Sequence, residues 1–218
     1  MRADLRLTQD ALGTGLLLGV CVLLGIGMMA ITNFHSQPFI ERNELALLKS
    51  NVIAVLQPGS FNNNVLEDRI DVVAPDWLGS KKAVTVYRAR MNGQPVAAVL
   101  NIVAPDGYSG PIALTVGVDV NLKVVGVRVM QHNETPGLGD RIESKKSKWL
   151  MSFRGRGIKD TPDEMWRVKK DGGEFDQFTG ATITPRAVVK AIHRCLVYVG
   201  RHEAAIFASD APGRVKQG

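Results

Sequence analysis

Between Ala83 and Met130 the chain reads AVTVYRAR-MNGQ-PVAAVLNIV-APDGYSGP-IALTVGVDV-NL-KVVGVRVM. Four runs rich in β-branched residues are separated by short connections. Asn92-Gly93 tolerates the positive φ of a tight hairpin turn, so Ala83–Arg90 and Pro95–Val103 form one antiparallel pair. Ile112–Val120 and Lys123–Met130 flank Asn121-Leu122 and form a second. A parallel pairing would need a crossover of about a dozen residues, which these connections lack. The segment Ala104–Pro111 is a loop of turn formers.

Around this sheet the pattern turns helical. Asp140–Phe153 places Ile142, Trp149, Leu150 and Phe153 as an apolar stripe beside a basic face. Pro185–Gly200 repeats Val188, Ala191, Ile192, Cys195, Leu196 and Val199 at three and four residues, the mark of a helix laid on a core. Upstream, Ile40–Leu56 has Leu45, Leu48, Ile53 and Leu56 at helical spacing, and Pro58-Gly59 ends it. The fold class is α+β, an antiparallel sheet flanked by helices.

Ala11–Phe34 is apolar, and no Asp, Glu, Lys or Arg stands between Asp10 and Glu41. About 20 apolar residues at 1.5 Å rise cover the roughly 30 Å of a bilayer's hydrocarbon, so this run can span a membrane. A cleaved signal peptide is the rival reading, since Arg2 and Arg6 precede the run. Its length and the lack of a small-x-small cleavage pattern favour a retained anchor. The expected organisation is a tail at 1–10, a transmembrane helix at 11–34 and an amphipathic helix with connecting loop at 35–79. The main domain follows at 80–208, and a frayed tail at 209–218. A large domain after a short N-terminal tail is simplest with the N-terminus inside and the domain outside.

The 218 residues carry a formal charge of +6, in short clusters such as Lys81-Lys82 and Lys169-Lys170. Solvated surface, not nucleic-acid binding, is the expectation. Cys21 and Cys195 stand in different parts of the chain, which argues against an internal disulfide. No Cys/His cluster has metal-ligand spacing, and His35, His132, His193 and His202 are scattered. Redox chemistry here calls for an organic cofactor.

Asp171–Arg186, DGGEFDQFTGATITPR, carries the chemistry. Thr184 before Pro185 is a helix-start signature in which the threonine oxygen accepts an orphan N–H. Unpaired amides and the helix dipole there favour an anionic phosphate by about 1 kcal/mol. Gly180 and Ala181 leave room to reach the Thr182 hydroxyl, and Asp176 could order the turn or activate that hydroxyl. An ordinary capped turn would satisfy the same residues.

The string Asp176-Gln177-Phe178-Thr179-Gly180-Ala181-Thr182 resembles the D-x-x-[S/T]-G-A-T signature at which a flavin transferase attaches FMN, taken from FAD, to the last threonine. Its five fixed positions recur by chance on the order of once in a hundred thousand. His132–Gly139 is similar to the E-T-P-G-L-G loop of the same family, and Gly107-Tyr108-Ser109-Gly110 to its G-Y-x-G turn. The family is the FMN-binding domain shared by the C subunit of sodium-pumping NADH:quinone reductase and the G subunit of the Rnf (Rsx) complex. The run Val168–Gly173 into Phe175–Phe178 looks more like the Rnf branch.

The resemblance implies a covalent FMN on Thr182 as phosphoester, in a site with Thr179, Gly180, Ala181, Asp176 and Thr184. On chemical grounds Glu134 and Thr135, with the constrained Pro136-Gly137-Leu138-Gly139, could wall the isoalloxazine ring and offer the Gly137 and Gly139 amides to its polar edge. Tyr108 could contact the flavin or equally just close its turn. The resemblance further implies a single-pass bacterial inner-membrane protein with a cytoplasmic N-terminus and a periplasmic domain. Such a chain is a redox subunit of a translocase and does not turn over alone. Its partners would be membrane-integral and iron–sulfur subunits, with a flavin transferase for maturation. A flavinylated carrier of another exported respiratory chain, and a non-redox anchored scaffold, stay open.

Overall fold

The computed structural model describes residues 2–208, apart from the side chains of 2–14, 17 and 38–45; the expected tail at 209–218 lies outside the described residues. The chain divides into two compact units, Met1–Leu48 and Lys49–Gly218. The described residues of the first are helical. Its stretch Leu18–Gln37 is long and apolar enough to cross a membrane. The sequence separates this run from an amphipathic helix beyond Ile40, yet one helix, α1 (Arg2–Val55), carries both. Pro38 forfeits one backbone bond without ending it.

The second unit is built on a five-stranded antiparallel sheet in chain order. Its strands are β1 (Arg69–Val72), β2 (Val84–Met91), β3 (Gln94–Ala104), β4 (Ile112–Asp119) and β5 (Val124–Gln131). The last four match the expected hairpins within a residue or so. Asn92 and Gly93 both take positive φ, 52° and 81°, as a two-residue hairpin turn with right-handed twist requires. In the second hairpin Leu122 takes φ 62°. Asp119 Oδ1 offsets that strain by accepting the N–H groups of Asn121 and Lys123 at 2.9 and 2.8 Å. β1 and the short α2 (Pro75–Leu78) escaped the sequence reading, which saw only loop there. Four residues are too few for periodicity to declare itself.

Helix α3 (Ile183–Arg201), followed by a single turn α4 (Glu203–Ile206), covers one face of the sheet. Val188, Ile192, Cys195, Leu196 and Val199 of α3 join Val86, Leu100, Ile102, Leu114 and Val116 in one core. Both cysteines are free, and burial pushes the Cys195 thiol up to about 12. Val52 and Val55 of α1 and Leu56 just past it are buried, whereas Ile53 of the expected stripe is exposed. A side chain at Gly126 would meet the Val55 carbonyl at 2.6 Å, so this glycine lets the end of α1 lie on the sheet.

The expected helix over Asp140–Phe153 is instead two 3₁₀ turns, Gly139–Ile142 and Trp149–Phe153. Serine chemistry separates them. Ser147 Oγ donates to the Arg141 carbonyl at 2.6 Å and accepts the Trp149 N–H at 3.1 Å, competing with helical bonds. The apolar stripe is still buried. Ile142, Leu150 and Phe153 reach the core from two anchor points, and Trp149 packs edge-on against Phe153 and Phe178. Trp166 is likewise a core residue, tilted against Phe175.

Candidate functional site

Three segments far apart in sequence converge at the start of α3. They are the turn at Gly107–Gly110, the loop His132–Gly139 and the turn Gly180–Thr184. Glu134, only 4 % exposed, fastens them together. Its Oε1 accepts the Ser109 N–H at 3.0 Å, and its Oε2 accepts the Thr184 hydroxyl. The Glu134 N–H donates to His132 Nδ1 at 3.0 Å, while His132 Nε2 faces Glu143 Oε1 at 3.2 Å. Both oxygens of a carboxylate drawn into the protein are thereby bonded, as burial demands.

Two glycines make the approach possible. A Cβ on Gly139 would fall 2.8 Å from Glu134 Oε2 and 2.9 Å from Thr184 Oγ1. A Cβ on Gly107 would fall 2.2 Å from the Gly110 carbonyl and 3.0 Å from Glu134 Oε1. These positions exclude side chains by contact.

Thr184 therefore does not cap the helix as its sequence suggests. The helix begins at Ile183, with Thr182 in the capping position and no side-chain capping bond. The Thr184 hydroxyl is spent on Glu134 instead. Pro185 still falls within the first turn, where no intrahelical N–H bond is lost. The first main-chain bond across this end runs from the Arg186 N–H to the Thr182 carbonyl at 3.3 Å, so the N–H groups of Ile183 and Thr184 precede the ladder.

A cavity of about 290 Å³ opens here, lined by Tyr108, Glu134, Thr135, Leu138, Gly139 and the run Gly180–Thr184. Tyr108 stands at its mouth, 66 % exposed. Gly180 takes φ 80°, turning the chain so that Ala181 and Thr182 face the cavity, and Leu138 Cδ2 closes over it at 3.4 Å from a would-be Cβ. A larger hollow of about 460 Å³ lies further along α3, among Trp166, Arg186, Lys190 and His193. Two of its charged pairs are Arg186 with Asp171 and His193 with Asp163. The smaller cavity holds the hydroxyl and the helix start.

Residues 107–197 match the FMN-binding domain family. The G subunit of the ion-translocating oxidoreductase complex of Pseudomonas aeruginosa (strain UCBPP-PA14) is 42 % identical over 207 residues, 95 % of this chain and 97 % of that one. The chain belongs to the family of G subunits of ion-translocating oxidoreductase complexes. Another member, from Photorhabdus laumondii subsp. laumondii, is 45 % identical over 185 residues, 85 % of this chain and 88 % of its own. The crystal structure of the C subunit of Na(+)-translocating NADH-quinone reductase from Parabacteroides distasonis is similar over 59 % of this chain and 65 % of that one. The identity there is 23 % and the TM-score 0.40.

The cavity's walls suit the phosphate end of a flavin nucleotide in this member of the G-subunit family. They offer a threonine hydroxyl without a capping bond, a helix start with free N–H groups, and glycines where backbone must come close. Three residues named from the motifs stand elsewhere. Asp176 is exposed, its carboxylate 2.6 Å from Lys169 Nζ, and only its carbonyl is engaged inward, by Trp149 Nε1 at 2.7 Å. Thr179 and Gly137 are exposed and outside the cavity lining. Ile183 on the wall and Ser109 beneath Glu134 escaped the sequence reading. Ser109 acts through its main-chain N–H, which no residue type advertises.

Proposed function

We propose that Thr182 carries FMN through a phosphoester and that the chain relays electrons within an ion-translocating complex of the Rnf (Rsx) type, between reduced ferredoxin and NAD. The supporting observation is the Thr182 hydroxyl at the head of α3, on the wall of the cavity and uncommitted to capping. In maturation, aided by a flavin transferase, Thr182 Oγ attacks the flavin-side phosphorus of FAD. An O–P bond forms, the pyrophosphate bond breaks, AMP leaves and the hydroxyl proton is released.

An FMN held there would supply the electron-accepting and electron-donating chemistry between neighbouring subunits. The chain's own residues hold and orient it. The N–H groups of Ile183 and Thr184 and the helix dipole favour the phosphate's charge by about 1 kcal/mol. Glu134 keeps Thr184 and the Gly107–Gly110 turn in register, and Leu138 and Tyr108 shape the opening. An attached flavin is not lost from a domain on the periplasmic side, where replacement is slow. In this reading the N-terminus lies in the cytoplasm and α1 in the inner membrane, beside membrane-integral and iron–sulfur subunits.

Thr182→Val keeps the shape of the side chain and removes the hydroxyl. Expressed with the transferase, the variant is expected to fold but to lose the fluorescent band on a denaturing gel. A band that persists sinks the assignment. Copurification with the iron–sulfur subunits distinguishes an Rnf-type complex from another exported chain.

A further inference from the structure

β5 is the last strand of the sheet, and its outer edge is taken up only at its beginning. There the Val124 N–H donates to the Arg156 carbonyl and the Gly155 N–H to the Val124 carbonyl, both at 2.8 Å. Past that point no strand among the described residues pairs with it on that side. A groove of about 570 Å³ runs there, with Val125–Arg128 along it. One wall is the end of α1, Ile53 to Val55, with Leu56 just past it; the other is the 3₁₀ turn with Leu150 and Met151. Ile53 and Met151 are exposed apolar side chains.

The groove also has a single sign of charge. Arg128, Lys148 and Arg154 line it, no Asp or Glu does, and none of the three has a carboxylate partner among the described residues. An edge strand with unpaired main-chain groups between apolar walls is the geometry that accepts an added strand. Uncompensated cations select for acidic side chains on whatever enters.

We infer that this groove docks an extended, acidic segment of another subunit of the complex, which adds a strand beside β5. The inference rests on the reading of the chain as a complex subunit, and it stands apart from the flavin site, whose residues it does not share.

The test uses the full-length chain in its purified complex, with a photo-crosslinking amino acid in place of Met151. The expected product joins this chain to an acidic stretch of a different subunit. Lys148→Glu with Arg154→Glu, both exposed, should reduce that product by on the order of tenfold, and Lys82→Glu at the far end of the sheet should leave it unchanged. Crosslinks only to lipid or to a second copy of this chain overturn the inference. So does a product that is not acidic at the contact, a product insensitive to the charge reversals, or no product at all. Covalent flavin fluorescence of the same band tests the Thr182 reading separately, so either can fail alone.

Discussion

Asp68 and Glu134 are both carboxylates drawn from water, and they are held by opposite means. Asp68 receives two guanidiniums, Arg88 Nε on one oxygen and Arg90 Nε on the other, each at 2.5 Å. Arg88 and Arg90 are only 2 % and 6 % exposed, and Arg90 also donates to the Ala208 carbonyl at 2.6 Å. Glu134 has no cation; a main-chain N–H and a hydroxyl suffice. At the first place charge is neutralised by charge, which locks β2 to the segment ahead of β1. At the second, neutral donors from separate segments fix the relative positions of the cavity walls. Stability concentrates at one carboxylate and positioning at the other.

The largest expected effect breaks the first arrangement. Asp68→Ala leaves two buried guanidiniums with a carbonyl between them, and removal of one partner from a buried ion pair costs about 3–5 kcal/mol. At about 2–4 °C per kcal/mol for a domain of this size, Tm should fall by roughly 6–20 °C in a thermal melt followed by circular dichroism. A fall below about 3 °C would mean that the arginines find water. Covalent flavin should still load at permissive temperature, because Asp68 is not part of the cavity.

Glu134→Gln is expected to show the reverse balance. The amide oxygen can serve only one of the two donors, and its NH₂ group must face the other, at a cost of about 1–3 kcal/mol. Tm should drop by less than in Asp68→Ala, while the fraction of chains flavinylated, read by intact mass, should drop by more. Should Glu134→Gln load flavin as fully as the wild type, the carboxylate is not what positions Thr182.

The glycines narrow the test to distance alone. Gly139→Ala puts a methyl group against Glu134 Oε2 and Thr184 Oγ1, an overpacking worth about 1–3 kcal/mol, and flavin loading should fall with it. Gly137→Ala meets nothing within 4 Å and carries only the strain of φ 80°, about 1–2 kcal/mol. Its loading should stay near the wild type. Equal loading in the two variants would show that the close approach around Glu134 is dispensable.

How much of this could be read from the residues depends on what each contact uses. Runs of β-branched residues and their short connections, one of them Asn-Gly, announce the two hairpins, because strand preference and tolerance of a positive φ are properties of residue types. The span and α3 announce themselves through long apolar patterns. Ser109 and the free ends of Ile183 and Thr184 act through backbone, which any residue supplies, so composition is silent about them. Thr184 misleads for a related reason. A threonine before a proline signals a cap, but here a carboxylate 50 positions away claims its hydroxyl. The helical spacing within Asp140–Phe153 is real and its burial real; an extended Glu143 (ψ 133°) and the Ser147 hydroxyl redirect the local hydrogen bonds.

The contrast has a third form, in which an exposed lysine meets one buried and one half-buried carboxylate, and here the smallest effect is expected. Lys146 Nζ bonds Asp140 Oδ2 at 2.8 Å and Glu143 Oε1 at 2.6 Å, and Glu143 in turn faces His132 beneath the cavity. The lysine holds both carboxyls below their usual range, and they hold the ammonium above its own. A depressed carboxyl contributes stability that is present above its unfolded value, near pH 4, and is lost as pH falls through the folded one. The raised ammonium contributes fully below about pH 10.4 and loses that contribution as pH rises further. Lys146→Met removes both slopes. The Tm difference between wild type and variant should therefore be flat from about pH 5 to 9 and shrink as the pH falls below about 4. A difference that grows on acidification would mean that the carboxyls, not the lysine, are the partners that the surrounding loop depends on.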